Sequence, residues 1–297
     1  MLRFLSFSLL VTGSLATPRN HGPKGCRCLP TEPCWPSDAE WQSLNETVNG
    51  HVTRVTPLGA VCHDTSYDED ACNELLRGGA YNSSLRAEDP GMYDTPPSLG
   101  ERTNTVEGAG QWTNWEAWEE KNQTCYIGTP QDVPCLQGRI SPYSVSARSA
   151  DDIIAAVRFA TEHDIRLVVK NTGHDFAGRS LAPHSLQIRT WEMNGISFSE
   201  DFVPEGTQEG AGPAVTVEAR VQLFELYRFC HERNVTVIAG FSSTVGAAGG
   251  YIQSGGHSIL SPWKGLASDH VLQYTVVTAD VSSPHPPPPS LTARTRP

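Results

Sequence analysis

Two glycine-rich stretches carry the residues of this chain that could do chemistry. The first covers residues 170–180 and contains a histidine, His174, between two cations, Lys170 and Arg179. The second covers residues 240–257 and holds six glycines. Because glycine lacks a Cβ atom, successive backbone N–H groups can approach an anion and form a nest around it. The pattern predicts a site for a phosphate-bearing cofactor.

Neither stretch matches the short motifs of the common nucleotide sites. Neither is the G-x-G-x-x-G of the nucleotide-binding βαβ fold, and the chain has no G-x-x-x-x-G-K-[ST] and no G-x-S-x-G. The competing interpretation is structural, with the glycines serving turns and close packing. Six glycines in so short a stretch exceed what turns usually require, so the residues favour a binding site. They do not indicate which cofactor it binds.

The first stretch is predicted to follow a βαβ unit. Residues 143–146 alternate like a strand, and Ser149 with the acidic residues after it is typical of a helix N-terminus. Residues 167–169 form a short apolar run typical of a buried strand. Strand, helix and strand within about 30 residues predict two parallel strands.

The second stretch is predicted to follow a similar unit. Residues 215–217 and 235–238 are predicted strands, and between them Leu223, Leu226 and Cys230 share one face of a predicted helix. In such sheets ligands bind beyond the carboxyl ends of the strands, where both glycine-rich stretches are expected.

Composition excludes several classes of function. The chain has 297 residues and a net charge of −11, which suits about two globular domains and argues against a nucleic-acid partner. Residues 234–263 contain no charged side chain, so a membrane helix has to be weighed. Glycines interrupt that segment, which lacks the continuous apolar block of about 18 residues that a span requires.

The N-terminus predicts a secreted protein. Arg3 precedes an uncharged, mostly apolar run that ends in small residues at Ala16, the pattern of a cleaved signal peptide over residues 1–16. With the signal removed, no membrane attachment is expected. Four Asn-x-Ser/Thr sequons are candidate glycosylation sites: Asn45, Asn82, Asn122 and Asn234.

Eight cysteines agree with an oxidising compartment. Their connectivity cannot be read from the sequence, but Cys125 and Cys135 bracket a short loop and form the favoured disulfide. Cys230 is expected to be a buried thiol. A zinc site is the alternative; the spacing of Cys26, Cys28 and Cys34 lacks a zinc-ligand pattern, so no metal is predicted.

The expected organisation has four parts. A signal peptide (1–16) precedes a cysteine-rich segment (17–134), an incomplete cofactor domain (135–280) and a disordered proline-rich tail (281–297). In the cysteine-rich segment, three tryptophans at helical spacing predict one packed face, with carbohydrate stacking as the alternative; they are Trp112, Trp115 and Trp118.

Three motifs in order resemble the flavin-binding segments of the vanillyl-alcohol-oxidase superfamily, in its berberine-bridge-enzyme-like branch. Residues 168–175 are similar to the first flavin loop, residues 244–257 to the second, and residues 265–272 to the segment that follows. In that segment His270 stands where the family usually has Asn.

Similarity to this branch extends along most of the chain, from about Cys26 to Asp280. Cys125, residues 135–138 and Tyr143 also match the secreted fungal members. The resemblance implies an α+β fold with a p-cresol-methylhydroxylase-type FAD-binding domain. That domain is built from two small α/β subdomains, and the cysteine-rich segment precedes it.

The resemblance implies FAD, with His174 joined covalently to its 8α-methyl group. Some relatives have a second covalent link through a cysteine, where this chain has Ser242, so a single link is expected. Implied cofactor contacts from the first stretch are Lys170, Asn171, Thr172, Gly173, Asp175, Arg179 and Ser180. Those from the second are Thr244, Val245, Gly246, Gly249, Gly250, Gly255, Gly256 and His257.

The family's substrate-binding domain and its catalytic base are expected to be missing, so no catalytic acid or base is named. The resemblance implies hydride transfer from a small organic substrate, a fungal secondary metabolite or a carbohydrate, to flavin that O₂ reoxidises. The alternatives are a truncated, non-catalytic glycoprotein with little or no FAD, and a lectin-like module that uses the tryptophans. Bound flavin separates the first hypothesis from the others.

Overall fold

A computed structural model describes residues 27–77, 88–90, 121–175 and 178–281. The first part contains helix α1 (Asp38–Thr47), strand β1 (Val52–Arg54), a 3₁₀ turn (Leu58–Cys62) and helix α2 (Glu69–Leu76). After residue 121 come β2 (Tyr143–Ser146), α3 (Ala150–Glu162), β3 (Arg166–Lys170), β4 (Ser185–Arg189), β5 (Ile196–Ser199) and β6 (Ala214–Val217). They are followed by α4 (Leu223–His231), α5 (Gly250–Gln253), α6 (Ser261–Lys264) and a 3₁₀ turn (Ala267–His270).

The start of α3 is fixed by the residues that predict it. The Ser149 hydroxyl accepts a hydrogen bond from the Asp152 backbone N–H, and the Asp152 carboxylate accepts one from the Ser149 N–H. This reciprocal arrangement satisfies two N–H groups that the first helical turn leaves without a partner. Ser37 and Glu40 make the same capping box at the start of α1.

The four-stranded sheet has the order β1-β2-β4-β3. β2 and β3 each pair in parallel with β4, and β1 pairs antiparallel with β2. The parallel direction of β2 and β3 is therefore confirmed. The pattern around residues 143–169 does not reveal that β4, which comes later in the chain, lies between them.

One face of this sheet is apolar. Val145, Leu186 and Ile188 are at most 1% exposed and pack against α1 and α3 through residues such as Trp41 and Phe159. Alternate residues of a strand point to opposite faces, so the other face carries Ser144, Gln187, Arg189 and Lys170. The polar face adjoins the end of β3, where the first glycine-rich stretch begins.

A second core lies around α4. Leu223, Leu226 and Cys230 are buried with Val221, and the thiol of Cys230 is free. Burial raises the pKa of this thiol, which therefore stays neutral near pH 7. The positions of α4 and β6 confirm two elements of the second predicted unit.

The prediction of the third element, a strand over residues 235–238, is wrong. Residues 235–238 are not a strand in the part of the chain that the structure describes, and β6 pairs antiparallel with β5 instead. Val235 and Val237 pack against the α4 cluster, so their apolar pattern reflects side-chain burial and not a hydrogen-bonded ladder. Residues 273–278, whose β-branched residues are typical of a strand, likewise contain only one bridge residue, Tyr274.

Three disulfides join six of the seven cysteines of the described part: Cys28–Cys34, Cys62–Cys72 and Cys125–Cys135. The last is the pair that the sequence favours. Within the described ranges, no helix is both long and apolar enough to cross a membrane. The predicted signal peptide, the three tryptophans (Trp112, Trp115, Trp118), Asn82 and nearly all of the predicted tail lie outside those ranges.

Candidate functional site

The first glycine-rich stretch leaves the sheet at the end of β3. The Thr190 N–H donates to the Lys170 carbonyl at 3.1 Å and so holds the last residue of β3 beside the end of β4. Gly173 then has φ +83°, a backbone conformation that favours glycine. Residues 171–175, which we call the His174 loop, therefore begin from a fixed strand end and turn sharply.

The second stretch is held by the segment that leads into α4. Gln222 and Gly246 form an antiparallel bridge, and the Leu223 N–H donates to the Val245 carbonyl at 2.9 Å. The buried Gln222 amide also donates to the Thr244 carbonyl at 3.2 Å. Residues 244–250, which we call the glycine loop, are thus anchored at their first half.

The two loops are joined to each other by side chains. His174 Nε2 lies 2.9 Å from Thr244 Oγ1, and the Gly246 N–H donates to Thr172 Oγ1 at 3.3 Å. Asn171 Nδ2 donates to the carbonyl of Ala219 and, at 3.4 Å, to that of Ala248. Residues some 70 positions apart are therefore joined by side-chain hydrogen bonds, and not by the common sheet edge that the predicted strand over residues 235–238 would have provided.

The geometry fits a group that brings its own donors and its own negative charge. The Asn171 Oδ1 atom is buried and has no hydrogen-bond partner among the described residues. Gly249 (φ +77°) and Gly250 are exposed, and no atom lies within 4 Å of a Cβ built on Gly250. The open glycine backbone suits an anion such as phosphate, whereas the Asn171 Oδ1 acceptor would need a hydrogen-bond donor elsewhere on the same ligand.

Arg179 and Asp175 form an ion pair at the far end of the first stretch. Their closest atoms are 2.5 Å apart, and the Arg179 side chain is 80% exposed. The Arg179 N–H also donates to the Asp175 carboxylate. At such exposure the pair contributes little to stability.

Two predicted contact residues are buried. Ser180 is 6% exposed, and its carbonyl accepts a hydrogen bond from Gln187. Lys170 is fully buried, and its ammonium donates to the backbone carbonyl of Asp89. Lys170 therefore faces the polar side of the sheet.

Residues 255–257 serve a different part of the structure. The carbonyls of Gly255 and Gly256 accept from Ser268 and Ala267, and the His257 carbonyl accepts from the Tyr251 hydroxyl at 2.9 Å. None of the contacts described for His257 reaches the His174 loop. Burial raises the pKa of Tyr251, so its hydroxyl stays a neutral donor near pH 7.

Two groups that hold the loops together could not be predicted from the sequence. Gln222, 2% exposed, and the Ala219 carbonyl hold the loops together through contacts that only the folded chain creates. No spacing or composition signal marks either residue.

The Thr244 hydroxyl orients the His174 imidazole, which gives a first prediction. In Thr244→Val the methyl groups preserve volume while the hydrogen bond is lost. For a flavin joined to His174, as the family resemblance implies, we expect the covalently held fraction to fall several-fold because the ring loses its fixed orientation. Flavin absorbance of the acid-precipitated protein measures this fraction. Thr244→Ser, which keeps the hydroxyl, should retain it; equal losses in both variants would contradict the orienting role.

Comparison with known families indicates the class of this protein, a flavin-binding domain. Residues 142–281 match the family described as "FAD binding domain". The fold is similar to the VAO-type flavoprotein MtVAO615 from Myceliophthora thermophila, with a TM-score of 0.72 and 33% identity over 86% of this chain and 43% of that one.

Curated relatives agree. An uncharacterised FAD-linked oxidoreductase of Arthroderma benhamiae is 50% identical over 260 residues, which are 87% of this chain and 41% of the relative. The FAD-linked oxidoreductase malF of Malbranchea aurantiaca is 46% identical over 86% of this chain and 41% of its own length. The chain is therefore similar over most of its length to VAO-type FAD-linked oxidoreductases, and it spans about two fifths of the length of these relatives.

Proposed function

We propose that this chain binds FAD covalently through His174 and serves flavin-dependent oxidation of a small organic molecule. The observation that carries the proposal is the contact between His174 and Thr244, which joins the two loops at a histidine. A histidine oriented by a neighbouring hydroxyl in a partly buried position is suited to form one covalent bond to a bound cofactor.

The loops would divide the work of holding FAD. Backbone N–H groups of the His174 loop and of the exposed Gly249 and Gly250 would face the pyrophosphate, with Arg179 and Ser180 at the rim. Thr244, Val245 and Gly246 would set the position of the His174 ring.

When bound, FAD supplies a hydride acceptor that O₂ can reoxidise. The residues of this chain bind and orient it and keep its attachment point away from bulk water. The substrate that we propose is a fungal secondary metabolite or a carbohydrate, in keeping with the family resemblance. We also propose that the cofactor domain begins near residue 135.

A flavin measurement tests the function directly. The chain would be expressed through a secretory pathway and purified, and its visible spectrum would be recorded before and after acid precipitation. We expect flavin absorbance in the native protein and in the pellet. A colourless, folded protein would contradict the proposal and favour the non-catalytic glycoprotein.

Secretion has its own test. The three disulfides, the predicted signal peptide and the sequons support passage through an oxidising compartment. Asn122 and Asn234 are exposed, whereas the half-buried Asn45 accepts a hydrogen bond from the Val52 N–H at 3.0 Å.

We therefore expect glycans at Asn122 and Asn234 and little occupancy at Asn45, because the native side chain of Asn45 is engaged in the fold. Mass spectrometry of the secreted protein after enzymatic deglycosylation measures the occupancy of each sequon. Predominant occupancy at Asn45, with Asn122 and Asn234 unmodified, would show that accessibility in this fold does not govern the modification.

A further inference from the structure

Three consecutive carbonyl groups from the N-terminal part of the chain lie against the polar face of the sheet. The Glu88 carbonyl accepts from Arg189 and the Asp89 carbonyl accepts from Lys170. The Pro90 carbonyl accepts from the Gln187 amide at 3.0 Å. Each donor comes from β3 or β4, so residues 88–90 are fastened to two neighbouring parallel strands.

Strand register explains why the three donors are together. Lys170 pairs with Arg189 across β3 and β4, and Gln187 lies two residues before Arg189 on the same face. Lys170 and Gln187 are completely buried. Burying an ammonium group is costly unless strong acceptors satisfy it, and here a backbone carbonyl accepts from it.

These hydrogen bonds lie directly before the His174 loop. Lys170 is the last residue of β3, and Asn171 begins the His174 loop directly after it. Fixing the Lys170 side chain against residues 88–90 fixes the direction in which the loop leaves the sheet. Arg189 reinforces the same end of the sheet by also donating to Ser146 at 2.7 Å.

We propose that residues 88–90 and the side chains of Lys170, Gln187 and Arg189 form a clamp that positions the His174 loop. Lys170 is then a positioning residue that acts through the N-terminal segment, and it does not contact the cofactor phosphates. An effect of the clamp on FAD binding rests on the proposed function. The hydrogen bonds of the clamp are formed by the polypeptide alone.

Hydrogen–deuterium exchange on the purified full chain tests the clamp. We expect Lys170→Met and Arg189→Met each to accelerate amide exchange at residues 171–175 by about tenfold, since the first removes the charge-assisted hydrogen bond to Asp89 and the second removes those to Glu88 and Ser146. Arg189→Lys, which keeps a cationic donor, should restore much of the protection. Arg166→Met removes an exposed cation from β3, the strand that contains Lys170, and should not change amide exchange at residues 171–175.

Protection of the α3 amides in every variant verifies folding. If Lys170→Met does not fold, the Arg189→Met and Arg189→Lys pair decides alone. Faster exchange in Lys170→Met with none in Arg189→Met would overturn the clamp, because Lys170 would then act alone. Unchanged exchange in both would overturn it as well. The comparison does not require flavin, so a colourless wild-type protein would defeat the FAD proposal and leave this one standing.

Discussion

Replacing His174 with alanine should leave the acid-precipitated protein colourless. The imidazole is the group that we expect to carry the covalent bond, and alanine offers no atom that could replace it. The loss should be essentially complete, whereas flavin held only by noncovalent contacts would be released into the supernatant. The measurement compares flavin absorbance in pellet and supernatant at equal protein concentration.

His257→Ala is the matched control for this variant. His257 lies in the second glycine-rich stretch but is exposed, and the contacts described for it do not reach the His174 loop. Its pellet should therefore keep the flavin. A yellow pellet from His174→Ala, or equal losses in the two variants, would show that the attachment point is elsewhere.

Gly246→Ala should have the second largest effect. A Cβ atom at this position would lie 2.7 Å from Asn171 Nδ2 and 2.9 Å from Asn171 Oδ1, closer than real Cβ contacts allow. Asn171 is itself held by the Ala219 carbonyl, so the added methyl group must separate the two loops. We expect a loss of about 1–3 kcal/mol in the free energy of unfolding, the usual cost of overpacking, together with a marked fall in bound flavin.

Gly250→Ala provides the comparison. Space around Gly250 is open, and its φ is not in the positive range, so alanine should be tolerated or slightly stabilising at the start of α5. Denaturant unfolding and the ratio of flavin to protein would be measured for both variants. Equal stability of the two would refute the steric argument, because only the methyl group at position 246 meets another side chain.

Local signals in the sequence were sufficient for several elements. Ser149 and Asp152 determine where α3 begins, because a capping box is made by residues three apart. The apolar run over 167–169 determines β3, and the glycines of the two stretches mark the loops at the site. The family resemblance likewise comes from three motifs in order, since the residues of each motif are adjacent in the chain.

Contacts between distant residues were decided only by the tertiary structure. β4 lies between β2 and β3, and residues 235–238 pack as apolar side chains without forming a strand. Apolar periodicity reports burial but does not reveal which backbone supplies a hydrogen-bonding partner. Lys170 shows the same limit, because its place at the start of the first glycine-rich stretch suggests a phosphate ligand. The alternation of β3 turns its side chain onto the buried polar face, where it binds the Asp89 carbonyl.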